Sequence, residues 1–237
     1  MTEEIFRDDA YVRTCEARVV SVDDDGIEFD RTVFYATGGG QPGDVGVMRL
    51  QGGQDARIVD TRKSRESGRH FHVLEEGAAL PAVGDTVSLE IDWANRHKLM
   101  RMHTALHLLC SIVEGGVTGG QIGVAKSRLD FDLQDTALDK EAISAELNRL
   151  VEEDRPLSST WITDEEMAAK PEMVRTMSVK PPSGAGKVRL MEIEGVDLQP
   201  CGGTHVARTG EIGPLRVGKI ENKGKHNRRI NIHLVED

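Results

Sequence analysis

The sequence predicts an α+β protein, a small N-terminal β-barrel followed by an α+β second domain. Three observations carry this. Short alternating or β-branched segments, separated by turn residues, occupy positions 17 to 91. A helical period replaces that pattern at Asp92. Beyond it, helical and strand-like segments are mixed, which suits one sheet system with helices packed on it.

The strand-like segments of the first part are 17–22, 26–29, 32–35, 45–50, 56–60, 70–74 and 86–91. Asp25-Gly26, Gly52-Gly53 and Gly84-Asp85 mark turns between them. Strands this short and this closely spaced fit a small barrel or sandwich. Asp92 is placed to cap a helix running through Val113. Leu99, Met102, Leu106, Leu109 and Val113 give that helix an apolar stripe, and Gly115-Gly116 ends it. The domain boundary is expected near Ile91, giving a barrel over 1–91 and a second domain over 92–237.

In the second domain, 127–133 reads as a strand. A helix is expected over 140–153, with Ile143, Leu147, Leu150 and Val151 inward. Thr163-Asp164-Glu165-Glu166 is a capping box opening a short helix that Pro171 stops. Residues 181–186 read as a loop. Positions 188–193, 215–221 and 229–235 read as strands.

Composition limits the function. Of the 237 residues, 38% are hydrophobic and 30% charged, which is globular rather than disordered. No apolar run approaches the roughly 20 residues needed to span a bilayer. The first residues are acidic and lack an apolar segment, so no secretory signal is expected and the cytoplasm is the expected place. The cysteines, Cys15, Cys110 and Cys201, are too few and too scattered for a disulfide framework. The net charge of −10 disfavours non-specific binding to nucleic acid. Two local stretches run against it. Residues 93–113 hold Arg96, Lys98 and Arg101 without an acid, and 223–229 hold Lys223, Lys225, Arg228 and Arg229 without an acid. Either stretch is a solvated face or a phosphate-binding patch. If Arg228 and Arg229 lie on a strand, they face opposite sides, and only one is available to RNA.

Two motifs carry chemistry. His103-Thr104-Ala105-Leu106-His107 sets two imidazoles one helical turn apart on one face, a geometry that suits a shared metal. Cys201-Gly202-Gly203-Thr204-His205 offers a thiolate and an imidazole around a tight glycine turn. Each alone fits a purely structural role. Together His103, His107, Cys201 and His205 make a tetrahedral zinc set split between a helix and a distant loop. Such a set is either structural or catalytic. Cys110, three residues after His107, is a competing ligand or a buried thiol. The turn Gly38-Gly39-Gly40-Gln41-Pro42-Gly43-Asp44 either exposes backbone N–H groups to a ligand or is a sharp barrel turn.

These motifs resemble a known family. His103 to His107 followed by Leu108-Leu109, and the run from Cys201 to Gly213, are similar to the editing domain of alanyl-tRNA synthetase and its free-standing AlaX relatives. Thr32 to Tyr35 leading into the Gly38–Asp44 turn resembles the glycine-rich motif before that domain. Arg228-Arg229-Ile230 resembles its closing strand. The likeness covers nearly the whole chain in order, and the chain is too short to hold an aminoacylation domain as well.

The resemblance implies one zinc ion per chain at His103, His107, Cys201 and His205. It implies hydrolysis of serine or glycine mischarged on alanine tRNA. Gln121 and Glu211 fall at its site-lining positions. On the chain's own chemistry, Gly39, Gly40 and Gln41 are candidates for contacting the substrate, and Lys223, Lys225, Arg228 and Arg229 are candidates for holding tRNA. One departure stands out. The synthetase form has threonine before its second histidine, and this chain has Leu106, so serine recognition must use other groups. Zinc polarises water or the ester carbonyl, or binds the amino group and positions the substrate. Two other functions stay open at this point: a non-catalytic zinc-stabilised module binding tRNA or a synthetase, and a metallohydrolase of small esters. The oligomeric state is not legible.

Overall fold

The computed structural model describes residues 2–64, 66–133, 138–170, 174 and 186–235. The chain divides into two compact units, Met1–His97 and Lys98–Asp237.

The first unit contains β1 (Glu3–Glu4), β2 (Thr14–Asp23), β3 (Gly26–Phe29), β4 (Arg31–Thr32), β5 (Gly46–Arg49), β6 (Asp55–Lys63), β7 (His70–Leu74) and β8 (Thr86–Ile91). β1 and β4 form a short parallel pair. The other six close into a barrel in the order β2-β3-β7-β6-β5-β8, and closure leaves no open sheet edge. Alternation in sequence becomes alternation in burial: along β2, Ala17 and Val19 are buried while Glu16, Arg18 and Val20 are exposed. Phe29, Phe34, Met48, Ile58 and Leu89 fill the interior.

The segment 32–35 departs from its expected strand. Only Thr32 pairs, with Glu4. Val33 to Tyr35 are buried but irregular, because side chains satisfy their backbone. Phe34 N donates to Thr32 Oγ1 (3.0 Å), Tyr35 N to Asp44 Oδ2 (2.6 Å), and Val33 O accepts from Arg96 (2.7 Å). Arg96 lies in the first turn of helix α1 (Trp93–Ile112). The unit therefore runs past Ile91, the last barrel residue, into that turn.

Arg96 and Asp44 are 0% and 1% exposed. Arg96 Nε lies 2.9 Å from each Asp44 oxygen, and Nη2 also bonds the carboxylate. Nη1 donates to Ala10 O (3.0 Å). Arg96 was expected in an exposed basic stretch; its guanidinium is instead an interior group, because a carboxylate and two carbonyls replace its water.

The second unit holds the rest of α1, then β9 (Gly116–Gln121), β10 (Ser127–Asp132), α2 (Lys140–Glu152), β11 (Leu157–Thr163), α3 (Asp164–Ala168), β12 (Lys187–Ile193), β13 (Asp197–Pro200), β14 (Leu215–Asn222) and β15 (Asn227–Leu234). They form two antiparallel sheets, β14-β15-β10-β9 and β11-β12-β13. Asp139 caps α2, which buries Ile143, Leu147, Leu150 and Val151 as expected. Asn148 exchanges two 2.8 Å hydrogen bonds with the backbone of Leu215, fixing α2 along β14. The Thr163–Glu166 capping box is present at α3. Pro171 and most of the loop expected at 181–186 lie outside the described residues.

Three strands of this unit were not expected. β9 contains Gly119 and Gly120, which read as a break; a Cβ at Gly120 would stand 2.9 Å from Leu129 Cδ2, so glycine admits the neighbouring side chain. β11 is an edge strand with most side chains exposed, which erases the alternation. β13 is only four residues long. Among the described residues no helix is long and apolar enough to cross a membrane.

Replacing Arg96 with methionine leaves a buried carboxylate without its cation. The expected loss is about 3–5 kcal/mol of unfolding free energy, read from urea denaturation. A loss below about 1 kcal/mol would show that the pair is not needed.

Candidate metal centre

Helix α1 sets the first half of the site. Asp92 Oδ1 accepts from Asn95 N (3.0 Å) and starts the helix. The expected stripe, Leu99, Met102, Leu106, Leu109 and Val113, is buried, and so are Met100, Ala105 and Leu108 on the other faces. The helix is therefore enclosed around His103 and His107, which are 8% and 5% exposed.

The second half follows β13. Cys201 N donates to Arg189 O (3.0 Å), continuing the pairing of β12 with β13. The buried Arg189 guanidinium then donates through Nη1 to Gly203 O (2.9 Å) and Cys201 O (3.4 Å). It folds the Cys201–His205 loop back on the strand it left. Neither Gly202 nor Gly203 adopts a positive φ.

The two halves bring four donors together. One ligand atom from each of His103, His107, Cys201 and His205 lies within 4.8 Å of all the others. Cys201 Sγ is 3.5 Å from His103 Nε2 and 3.2 Å from His205 Nε2. A tetrahedral zinc ion with bonds of about 2.0–2.3 Å spaces its donors roughly 3.3–3.8 Å apart; the 3.5 Å separation falls in that range and the 3.2 Å one just below it. The outward nitrogens of His107 and His205 are occupied. His107 Nδ1 donates to Asp197 Oδ2 (2.8 Å), and the Gln199 amide donates to the same oxygen (2.8 Å). His205 Nδ1 is 3.1 Å from the Thr104 hydroxyl, which also accepts from Val206 N (3.3 Å). Carboxylate and hydroxyl partners on Nδ1 turn Nε2 inward, the arrangement that orients metal-binding histidines. The cluster can hold a metal ion. Cys110 is buried elsewhere on α1 and is not one of the clustered donors.

The electrostatics agree. Burial alone would raise the Cys201 thiol, but the charges at His103 and His205 outweigh it and hold its pKa well below the usual value. Burial alone would depress His107; its hydrogen bond to Asp197 and the adjacent Cys201 outweigh that and push it up to about 10. Burial and the charge at His103 drive His205 down to about 3. These shifts favour a deprotonated Cys201 and an uncharged His205 beside a protonated His107, and a metal ion bound there would compete with that proton.

The other expected site residues are placed as follows. Gly38 and Gln41 exchange backbone hydrogen bonds of 2.9 and 3.0 Å around Gly39 and Gly40, whose φ angles are +55° and +84°. Two consecutive positive φ values make this a type I′ turn, which favours glycine. Its tip is exposed, while the Gln41 side chain is buried. Gln121 is exposed at the end of β9. The Glu211 carboxylate accepts from Ala207 N (3.1 Å) and Arg208 N (3.2 Å), shaping the chain just after His205. Lys223 and Lys225 are exposed at the β14–β15 hairpin tip, with Lys223 2.9 Å from Glu221. Arg228 bonds carbonyls of the same hairpin. Arg229 grips Asp130 in a bidentate pair of 2.7 and 2.8 Å. Sequence reasoning missed Asp197, Gln199, Thr104 and Arg189. Asp197 and Gln199 left one signal, since two polar residues two apart just before Cys201 share a strand face.

A family described as "Threonyl and Alanyl tRNA synthetase second additional domain" matches residues 188–231, which contain Cys201 and His205. A second, "tRNA synthetases class II (A)", matches residues 5–95. The alanyl-tRNA editing protein AlaX-M of Methanosarcina acetivorans is 36% identical over the whole length of both chains. This chain belongs to the AlaX-M family. The AlaX-M protein of Pyrococcus horikoshii is 32% identical over 99% of this chain and 98% of its own. The alanine–tRNA ligase of Pyrobaculum calidifontis is 36% identical over 93% of this chain but only 25% of its own length. The AlaX-M chain thus corresponds to a limited portion of that ligase.

Asp197→Asn removes the charge that orients His107. It is expected to weaken metal affinity about 10–100-fold, measured by competition against a chromogenic chelator. Unchanged affinity would show that Asp197 does not orient the ligand.

Proposed function

We propose that this AlaX-M protein is a trans-editing hydrolase of the cytoplasm that deacylates mischarged alanine tRNA, with Ser-tRNA(Ala) and Gly-tRNA(Ala) as substrates. One zinc ion per chain is held by His103, His107, Cys201 and His205. The observation that carries this reading is the convergence of these four donors, with the outward nitrogens of His107 and His205 already bonded, in a chain aligned end to end with alanyl-tRNA editing proteins.

In the reaction, water adds to the ester carbonyl and the bond to the terminal ribose oxygen breaks, leaving a free amino acid and a free tRNA hydroxyl. Zinc, when bound, supplies Lewis-acid polarisation or an anchor for the substrate amino group. The chain's own residues do the rest. Asp197 and Thr104 hold the imidazoles in orientation, and Arg189 holds the loop. The enclosed faces of α1 limit water around the ligands. The ester is already reactive, so positioning contributes much of the rate. Leu106 is buried and offers no hydroxyl, so the discrimination of serine from alanine falls to other polar groups. In this reading Gln121 and Glu211 line the substrate, with Glu211 acting through the backbone it bonds, and the turn of Gly39, Gly40 and Gln41 contributes contacts of its own. Lys223, Lys225 and Arg228 meet the tRNA, and Arg229 supports them through Asp130.

The decisive assay is deacylation of Ser-, Gly- and Ala-charged alanine tRNA by the purified protein. Wild type is expected to release serine and glycine and to spare alanine. The His103→Ala, His107→Ala double variant is expected to lose both zinc and activity. Full zinc occupancy in that variant would sink the site, and wild-type inertness on all three substrates would sink the function.

The glycine turn is tested separately. Asparagine tolerates positive φ, so Gly39→Asn with Gly40→Asn adds side chains while keeping the turn. Deacylation is expected to fall several-fold with zinc content unchanged. Undiminished activity would make the turn a structural element of the barrel only.

A further inference from the structure

The four-stranded sheet has one apolar and one polar face. Val217, Ile230, Ile232, Leu129 and Phe131 are buried on the first. On the second, three cationic or titratable residues from separate segments fall in one row. Arg216 of β14 stands opposite His233 of β15. Ser127 of β10 stands opposite Ile232, so Lys126, one residue earlier, comes level with His233 on its other side. His233 Nδ1 donates to Ala125 O (3.2 Å), which ties the ring to the Lys126 loop. A Cβ at Gly218 would meet His233 Nε2 at 2.6 Å, so the imidazole lies along the sheet over a glycine.

This row is electrostatically costly. A protonated His233 would set like charges opposite each other on the sheet, which is destabilising. Burial, then the charges of Arg216 and Lys126, depress the His233 pKa. Arg216 and Lys126 are exposed, and among the described residues neither is salt-bridged to an acid. The next row on this face adds Arg128, opposite Asn231. The acids beyond it are already engaged. Asp130 takes both Arg128 (2.8 Å) and Arg229 (2.7 Å), a trio of net positive charge, and Glu221 bonds Lys223 and Asn231. An uncompensated cationic edge in a chain of net charge −10 fits an anionic partner with charges spaced along a line.

We propose that the sheet end formed by Arg216, His233 and Lys126 is a landing for the phosphate backbone of the substrate tRNA, with Arg128 continuing it along the face. It lies at the opposite end of β10 and β15 from the Lys223–Lys225 hairpin tip. The proposal rests on the reading that the substrate is a tRNA, and adds where that RNA is held.

The test measures binding of uncharged alanine tRNA against salt, with hydrolysis of Ser-tRNA(Ala) and of 3′-O-seryl adenosine, which lacks phosphates. Lys126→Gln with Arg216→Gln is expected to weaken tRNA binding on the order of tenfold and to lower the salt slope by about two. The KM for Ser-tRNA(Ala) should rise while kcat, zinc content and seryl-adenosine hydrolysis stay at wild-type level. Arg216→Lys with Lys126→Arg keeps the charge and should restore most binding. An unchanged slope in the Gln variant overturns the proposal. So does equal loss on seryl adenosine, which would place the effect in the site. So does a slope carried by Lys223→Gln with Lys225→Gln alone. A wild type that binds tRNA through Arg216 and Lys126 yet deacylates nothing would sink the editing reading and leave this surface standing.

Discussion

Three imidazoles and a thiol buried within one small space form the constraint around which the second unit is organised. Buried polar groups are tolerated only when partnered. Here the outward ring nitrogens of His107 and His205 are met by Asp197 and Thr104, and Arg189 binds the carbonyls of the cysteine loop. With Asp197 and Thr104 on their outward nitrogens, His107 and His205 bring their other ring nitrogens toward Cys201 and His103. The short strand β13 matters for this reason. It has four residues, and two of them, Asp197 and Gln199, face His107. Its pairing with β12 delivers Cys201 directly beside Arg189.

The first unit shows the same logic. Arg96 is fully enclosed and stable there because Asp44 and two backbone carbonyls replace its hydration. Asp44 in turn receives Tyr35 N, and its own N–H returns to Tyr35 O. The glycine turn between these residues is thus anchored at its base and open at its tip. One continuous helix supplies Arg96 to the barrel unit and, farther along, both histidines to the candidate metal centre.

Charge shows how far linear reading reaches. Two basic stretches stood out in sequence, yet Arg96 is interior and Arg229 is held by Asp130. The row of Arg216, His233 and Lys126 left no sequence signal, because its members come from three segments joined only by strand register.

The sequence by itself determined what is local. Alternation located the six barrel strands, because side chains on a strand alternate between core and solvent. Helical spacing put His103 and His107 on one face of α1, and the tight Cys201–His205 spacing marked the other half of the donor set. Tertiary structure decided what depends on distant partners. Val33 to Tyr35 failed to form a strand because Asp44 and Arg96 took their backbone groups. Asp197, Thr104 and Arg189 acquired their roles through contacts that no spacing encodes. Local periodicity is a property of the backbone and can be read along the chain. The pairing of buried charges is a property of the folded interior, where desolvation selects partners, and so it emerges only in three dimensions.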